Sequence, residues 1–257
     1  MIRDDRAANE VVGFVLVFSL VLTTVSLVYA AGFAGLDSTR DVERVNNAER
    51  AFDVLANNFQ QMGRGEAPNR ATEIKLADAQ LTTTAEREVT IDATGMNVTG
   101  ANPVAIRYDT DGNTNIVYEY GAVIRTDGDS AVMRREPDFI FEDGNVVVRF
   151  IESRGSGQGV GGSASTVLVR AERRESVVLA NRDTTSNVTV RLRTHPDRAD
   201  VWEAYLNDSL ATATGGSPTC SRSTVVGSDT TEVVCFDDTA DVDRLAVASV
   251  RVRVTLT

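Results

Sequence analysis

Lysine, histidine and cysteine are scarce in this chain of 257 residues. Only Lys75 among its 26 basic residues is a lysine, and the chain has one histidine and two cysteines. One histidine excludes a multi-histidine metal site, and two cysteines are too few ligands for a structural zinc site. The 37 acidic residues outnumber the basic ones, which form no basic stripe, and this balance argues against nucleic-acid binding.

The acidic balance also bears on where the protein works. Its formal net charge is -11 at pH 7. In concentrated salt, screening weakens the repulsion between surface charges, while the net charge keeps a protein soluble. An acidic composition with almost no lysine therefore favours a protein from a high-salt environment, and an ordinary acidic protein is the alternative.

A long apolar run near the N-terminus is the most prominent feature of the chain. No charged residue occurs from Val11 to Leu36, a stretch of 26 positions. A helix needs about 20 mainly apolar residues to cross a bilayer, so the run predicts a transmembrane helix surrounded by lipid. Its hydroxyl groups, including those of Thr23 and Thr24, can donate to carbonyls of the same helix and are tolerated in lipid.

Three kinds of N-terminal segment contain an apolar run. A secretory signal peptide has an apolar core of about 7 to 15 residues, which is shorter than this run, although "YAAGFAG" offers small residues for cleavage. A signal anchor fits the length better, and Arg3 and Arg6 then predict a cytoplasmic N-terminus. The third kind is indicated by the residues ahead of the run.

The order of residues in "DDRAANEVVGFVLV" resembles the class III signal of archaeal type IV pilin-like proteins, and that of uncharacterised haloarchaeal membrane-anchored surface proteins. The shared features are a short charged leader, the Arg6-Ala7 pair and Glu10 just ahead of the apolar run. The resemblance implies that a peptidase cuts between Ala7 and Ala8, and that like subunits can meet in a filament through the retained helix. Asn9-Glu10 stands where many pilins have Ser-Pro, which favours the uncharacterised relatives over the major pilins.

Residues 37–62 contain neither proline nor glycine and carry an apolar heptad pattern. Its members are Val45, Ala48, Phe52, Leu55, Phe59 and Met62. The pattern predicts an amphipathic stalk helix whose stripe is buried either against sister subunits or against the protein's own β-domain. Gly32 and Gly35 are expected to bend or interrupt the helix as it leaves the membrane, because glycine weakens a helix interior.

The hydrophobic period changes to two after "MGRGEAPNRAT". Alternating β-branched runs such as "VAIRY", "NVVVRFI" and "NVTVRLRT" then recur up to the C-terminus and predict strands. Asp-Gly pairs at 111–112, 127–128 and 143–144 predict hairpin turns. A helix that begins at Pro196 is expected to cover an open edge or end of the sheet.

We therefore predict a mainly β fold with an N-terminal α-helix, in which a long transmembrane and stalk helix precedes an antiparallel β-sandwich-like domain. The predicted segments are a charged leader at 1–7, a transmembrane or filament-core helix at 8–36, the stalk helix at 37–62 and an extracellular β-rich domain at 63–257.

No set of catalytic, cofactor-binding or metal-binding residues emerges from the sequence. His195 precedes Pro196 at a predicted helix start without any nucleophile motif, so we assign it a structural role. "GQGVGG" matches the dinucleotide-binding pattern, but a strand-like sequence follows instead of the required helix, and we interpret residues 153–163 as a hairpin tip. "DTDGNTN" at 109–115 lacks the EF-hand positions of glycine and glutamate and is interpreted as a polar β-turn.

The two cysteines and three glycosylation motifs indicate the kind of cellular compartment in which the protein resides. Cys220 and Cys235 flank a segment with turn residues, and a disulfide that closes this loop is the leading interpretation, with free thiols as the alternative. A disulfide requires an oxidising compartment. Asn97, Asn187 and Asn207 begin Asn-x-Ser/Thr sequons and are candidate glycosylation sites, which point to the same compartment.

These features predict a non-enzymatic, pilin-like or membrane-anchored cell-surface structural protein that displays a β-domain outside the cell. The chain is expected to cross the cell membrane once, with its N-terminus in the cytoplasm. Its expected partners are membrane lipid and, in a filament, like subunits, whereas no cofactor, small-molecule substrate or nucleic acid is expected. The alternative is a surface binding module or adhesin that recognises a glycan or a protein.

Overall fold

A computed structural model describes residues 4–84, 89–93, 96–100, 103–155 and 159–257. The chain divides into two compact units, Met1–Asn47 and Ala48–Thr257. The described helices are α1 (Asp4–Arg64) and α2 (Pro196–Thr214). The described strands are β1 (Asn69–Lys75), β2 (Ala79–Thr84), β3 (Val89–Ala93), β4 (Met96–Gly100), β5 (Ala105–Thr110), β6 (Thr114–Glu119), β7 (Ala122–Asp127), β8 (Ser130–Arg135), β9 (Phe139–Glu142), β10 (Asn145–Arg154), β11 (Gly159–Gly162), β12 (Thr166–Thr194), β13 (Thr219–Thr224) and β14 (Thr231–Leu256).

The strands form two sheets, and the predicted mainly β fold with an N-terminal helix is confirmed. In the larger sheet the order is β4-β3-β12-β14-β10-β9, with β1 also paired to β12 and β13 to β14. In the smaller sheet the order is β11-β2-β5-β6-β7-β8. One buried cluster contains Ile124 of the smaller sheet and Val247 of the larger one, so the two sheets enclose a common core in a sandwich-like arrangement.

The three Asp-Gly pairs lie in hairpin turns, as predicted. They join β5 to β6, β7 to β8, and β9 to β10. Gly144 in the third turn has a φ of 79°, a left-handed conformation that glycine adopts without a steric penalty. The segment 109–115 is thus a turn with its flanking strand residues, as interpreted from the sequence.

One pair of neighbouring strands departs from the predicted antiparallel pattern. β10 and β14 are parallel, in a register that runs from Asn145 opposite Arg244 to Arg154 opposite Arg253. A parallel pair needs a long crossover connection, which is supplied by the chain from β11 to β13. The antiparallel prediction is therefore wrong for this pair, because alternation within a strand does not reveal the direction of its partner.

A buried carboxylate lies on this parallel pair. Glu152 of β10 is 3% exposed and accepts from the Ser249 hydroxyl over 2.6 Å. It also accepts from the Arg251 guanidinium over 3.3 Å and from that of Arg154 over 3.1 Å. These bonds compensate for the loss of hydration at Glu152 and join β10 to β14 through their side chains.

Two strands, β12 and β14, each join more than one of the alternating runs that the sequence predicts as strands. β12 contains the alternating runs "TVLVRA", "SVVLA" and "NVTVRLRT" in one strand of 29 residues. Its pairing with β14 shifts register between Arg173 and Glu175, between Val178 and Ala180, and between Ser186 and Val188. Because such bulges absorb an extra residue without ending a strand, the breaks in alternation are not strand ends.

The glycine-rich segment is part of a sheet. β11 pairs with β2, with Val160 opposite Leu81, and the next element is β12. The hairpin-tip interpretation of 153–163 is therefore wrong for 153–154, which belong to β10, and for 159–162, which form an edge strand. Residues 156–158 lie outside the described part of the chain. A strand rather than a helix follows the glycines, so the feature that a dinucleotide site requires is not found there.

Helix α2 begins at Pro196, as predicted. His195 is its N-cap and its Nδ1 accepts from the Asp197 backbone N–H over 3.4 Å, in agreement with the structural role assigned to it. The helix continues to Thr214 and ends at Gly215 in a left-handed conformation. Its side chains Trp202 and Leu206 are fully buried in the core that the two sheets share.

Helix α1 is continuous from Asp4 to Arg64. It therefore passes through Gly32 and Gly35, and the expectation that they interrupt the helix is wrong. Glycine costs only about 1 kcal/mol relative to alanine in a helix interior, which by itself does not end a helix. The helix ends at Arg64, before Gly65 with a φ of 84°.

Candidate functional site

The first part of the candidate site is the apolar segment, Glu10–Phe33 of α1. Within its 24 residues, the most apolar stretch of 18 has a mean hydropathy of 2.6, and none of the segment is buried inside the protein. Thr23 and Thr24 donate their hydroxyls to the carbonyls of Ser19 and Leu20 over 2.7 and 2.6 Å, as expected from the sequence. By length and composition, this one helical segment in the described chain is able to cross a membrane.

The residues of the predicted processing site lie at the start of α1. The backbone of Arg6, Ala7 and Ala8 is helical, and their side chains lie outside the described part of the structure. Glu10 is exposed and is the first residue of the apolar segment. Cleavage between Ala7 and Ala8 stays a prediction.

The second part of the site is the docked segment, Ala48–Arg64 of α1. The boundary between the two compact units falls after Asn47, within the predicted stalk helix 37–62. Residues 48–62 are therefore part of the same unit as the β-domain. Five members of the heptad stripe are buried: Ala48, Phe52, Leu55, Phe59 and Met62. The stripe over 48–62 is therefore covered by the protein's own β-domain, which is one of the two alternatives that the pattern left open.

Aromatic contacts fix the docked segment on the smaller sheet. Phe59 packs edge-on against Tyr118 of β6 with ring centroids 4.9 Å apart, and Phe52 meets Tyr108 of β5 at 6.5 Å. All four side chains are nearly inaccessible to solvent. Burial of large aromatic side chains supplies much of the free energy of such a contact, and edge-to-face pairs add about 0.5–1.5 kcal/mol each.

A carboxylate just before β9 holds the end of the docked segment. Asp138 accepts from the amide of Gln60 over 2.8 Å, and from the guanidinium of Arg64 over 2.9 Å. Arg149 of β10 donates to its second oxygen over 2.7 Å. Burial by itself raises the pKa of Asp138, but the bonds from Arg64 and Gln60 outweigh this effect and lower the pKa below its usual value.

A second carboxylate acts at the other end of the docked segment. Glu49 is 8% exposed and pairs with Arg125 of β7 over 2.9 Å and with Arg134 of β8 over 3.2 Å. The docked segment is therefore held by ion pairs at both ends and by aromatic packing between them. Loss of any one contact is expected to weaken this attachment without removing it.

The opposite face of β6 carries an ion pair that sequence analysis missed. Glu119 accepts from Arg198 over 3.0 and 3.1 Å, from the Thr194 hydroxyl over 2.6 Å and from the Trp202 indole over 2.7 Å. Burial by itself raises the pKa of Glu119, but Arg198 and these hydrogen bonds outweigh it and lower the pKa. With its two oxygens fully engaged and 2% exposure, Glu119 joins α2 to the smaller sheet and is not placed to accept a substrate proton.

The predicted disulfide is present. Cys220 of β13 and Cys235 of β14 lie opposite each other in register, with sulfurs 2.04 Å apart. The side-chain oxygen of Asn207 in α2 lies 3.7 Å from the sulfur of Cys220. The bridge therefore joins two strands beside α2.

The three sequons lie in different elements. Asn97 is exposed in β4, and Asn187 is exposed in β12 with a φ of 56°. Asn207 is half-buried in α2 against the disulfide, so its surroundings suit a glycan less well than those of the other two. Glycosylation at these positions stays a prediction.

Among the residues that the structure describes, no group of three or more histidine, cysteine, aspartate or glutamate side chains is arranged to hold a metal ion. His195 lies near the carboxylates of Asp197 and Asp229, at 3.1 and 3.4 Å, and caps α2.

Comparison with known proteins places the chain in a family. No curated protein and no solved structure matches it. The model of one protein family matches residues 6–255, which include both the apolar segment and the docked segment. The chain therefore belongs to DUF7289, a family of unknown function.

Proposed function

We propose that this protein is a non-enzymatic, membrane-anchored cell-surface protein that displays its β-domain outside the cell. One observation carries the proposal. The exposed apolar segment Glu10–Phe33 and the docked segment Ala48–Arg64, which is buried in the β-domain, belong to the same helix. An apolar surface of this length is unfavourable in water and favourable in lipid, so the helix supplies both an anchor and an attachment for the domain.

Two further features support the proposed orientation. Arg3 and Arg6 precede the apolar segment, and basic residues favour the cytoplasmic side. The Cys220–Cys235 disulfide is stable in an oxidising compartment, which is the outside of the cell. The lysine-poor acidic composition supports a high-salt habitat, in line with the resemblance to haloarchaeal surface proteins.

Membrane anchoring is tested by alkaline carbonate extraction of membranes that contain the full chain. The double variant Leu20→Arg, Thr24→Arg places two charges in the apolar segment, at a cost of about 2.5–3.5 kcal/mol each. We expect the wild type to stay in the membrane pellet and this variant to leave it. The matched control Val42→Arg, Val54→Arg adds the same charges at exposed positions of α1 outside the segment and should stay in the pellet. Extraction of the wild type by carbonate would contradict the proposal.

Pilin-like processing is tested by N-terminal mass spectrometry of the protein from its native membrane. We expect the mature chain to begin at Ala8, and the Ala7→Leu variant to keep the leader, because the peptidase needs a small residue at the cut. A chain that begins at Met1 or Ile2 would indicate an uncleaved signal anchor. A chain that begins after "YAAGFAG" would indicate a released domain and contradict anchoring.

A further inference from the structure

An open groove lies where the edges of the two sheets meet. Its three walls are β8 of the smaller sheet, β9 of the larger sheet, and one face of α2 that includes Val201, Tyr205 and Asp208. The groove encloses about 680 Å³. The size is that of a ligand-binding cleft rather than of a site for a single ion.

Both strand walls are sheet edges. Among the described strands, β8 pairs with β7 alone and β9 with β10 alone, so the outer edge of each has no strand partner. Val132 of β8 is 54% exposed and Ile140 of β9 is 46% exposed. An open strand edge with exposed apolar side chains is a template on which another extended chain can pair.

The interior of the groove is aromatic. Phe141 of β9 and Tyr205 of α2 lie edge-on with ring centroids 6.5 Å apart, and Phe139 lies 6.3 Å from Phe141. Met133 of β8 completes this surface. Aromatic rings attract cations through their negative faces, and they also provide apolar contact area.

The rim of the groove is acidic. Glu136 follows β8, Glu142 ends β9, and Asp200 and Asp208 lie on α2, whereas no basic residue lines the described groove. Asp200 is paired with Arg222. In the described structure no ion pair is made by Glu136, Glu142 or Asp208, in contrast to Asp138, Glu49 and Glu119.

We propose that this groove binds an extended, cationic and apolar segment of a partner protein. Three unpaired carboxylates at separate positions around the groove attract basic side chains at intervals along a chain, while the aromatic interior contacts the side chains between them. Backbone pairing at the edge of β8 or β9 fixes the extended conformation, in which alternate side chains point to opposite sides. The groove thus adds a binding site to the anchoring function, and peptide binding is measured separately from the extraction of the chain from membranes.

The test uses the full chain in nanodiscs of uncharged phosphatidylcholine, with empty nanodiscs as the background. The probe is a fluorescein-labelled peptide in which arginine alternates with valine, and binding is followed by fluorescence anisotropy. The groove variant is Glu136→Gln, Glu142→Gln, Asp208→Asn. The matched control, Glu73→Gln, Asp111→Asn, Asp129→Asn, removes the same charge at exposed positions outside the groove.

We expect saturable binding of the peptide to the wild type and to the matched control, with similar affinity. The groove variant should bind about tenfold more weakly, since three partly exposed ion pairs together contribute on the order of 1–2 kcal/mol. Ala204→Arg, which fills the groove from an exposed helix position, should also weaken binding. Absence of saturable binding, or equal weakening in the groove variant and the matched control, would overturn the proposal.

Discussion

The indole nitrogen of Trp202 donates to a carboxylate oxygen of Glu119 over 2.7 Å, and both side chains are almost completely buried. The same carboxylate pairs with Arg198, which is 3% exposed. Removal of the negative charge leaves a buried guanidinium without its partner. We therefore predict that Glu119→Gln lowers the free energy of unfolding by about 3–5 kcal/mol.

Denaturation of the full chain in detergent micelles measures this effect, with Trp202 as the single tryptophan probe. The control is Glu232→Gln, which removes the carboxylate that pairs with Arg193 over 3.2 Å in a partly exposed setting. That change should cost about 0–1 kcal/mol. Equal losses for the two variants would show that burial does not strengthen the Glu119 pair.

The aromatic contact between α1 and the smaller sheet leads to a second prediction. Phe59 is fully buried against Tyr118, so Phe59→Ala should lower the free energy of unfolding by about 3–5 kcal/mol. Val54 lies on the same helix and is 53% exposed, so Val54→Ala should change it by less than about 0.5 kcal/mol. A small effect of Phe59→Ala would contradict the docking of α1.

Acidification should weaken the attachment at Asp138. Its pKa is lowered in the folded protein, so its contribution is complete above the unfolded pKa of about 3.9 and is lost as the pH falls through the lower folded value. We expect the stability of the wild type to fall over this acidic range by more than that of Asp138→Asn. Urea denaturation at a series of pH values measures the difference, and identical pH profiles would contradict the role of Asp138.

The Cys220–Cys235 bridge should resist alkylation in unreduced native protein. A loop of about 15 residues closed by a disulfide is worth about 3 kcal/mol in the chain-entropy model, so the variant Cys220→Ser, Cys235→Ser should be less stable by roughly that amount. Mass spectrometry after treatment with iodoacetamide measures how many of the two cysteines are free thiols. Labelling of both cysteines without a reductant would exclude the bridge.

Local patterns were sufficient to predict much of the fold. The apolar segment, the three Asp-Gly turns, the start of α2 and the disulfide each depend on residues close together in the sequence. The heptad stripe also marked Phe52 and Phe59 as buried. Its pattern did not decide what buries them, because a heptad fits a sister subunit as well as a sheet.

The features that were missed depend on residues far apart in the chain. Glu119 lies 79 positions from Arg198 in the sequence. Within "NIVYEYG" both faces of the strand carry apolar or aromatic residues, so alternation does not show which element covers Glu119. The direction of β14 relative to β10 and the meeting of β8, β9 and α2 in a groove are likewise set by chain topology. Periodicity reports which side of an element is apolar, and it does not report which element covers that side.

The single lysine gives a direct measurement of the central proposal, that the β-domain is displayed outside the cell. Lys75 is exposed at the end of β1, so a membrane-impermeant amine-reactive biotin reagent can modify it in intact cells only from outside. We predict that intact cells yield biotinylated protein, and that Lys75→Arg abolishes this labelling. Labelling of Lys75 only after the cells are lysed would contradict the proposed topology.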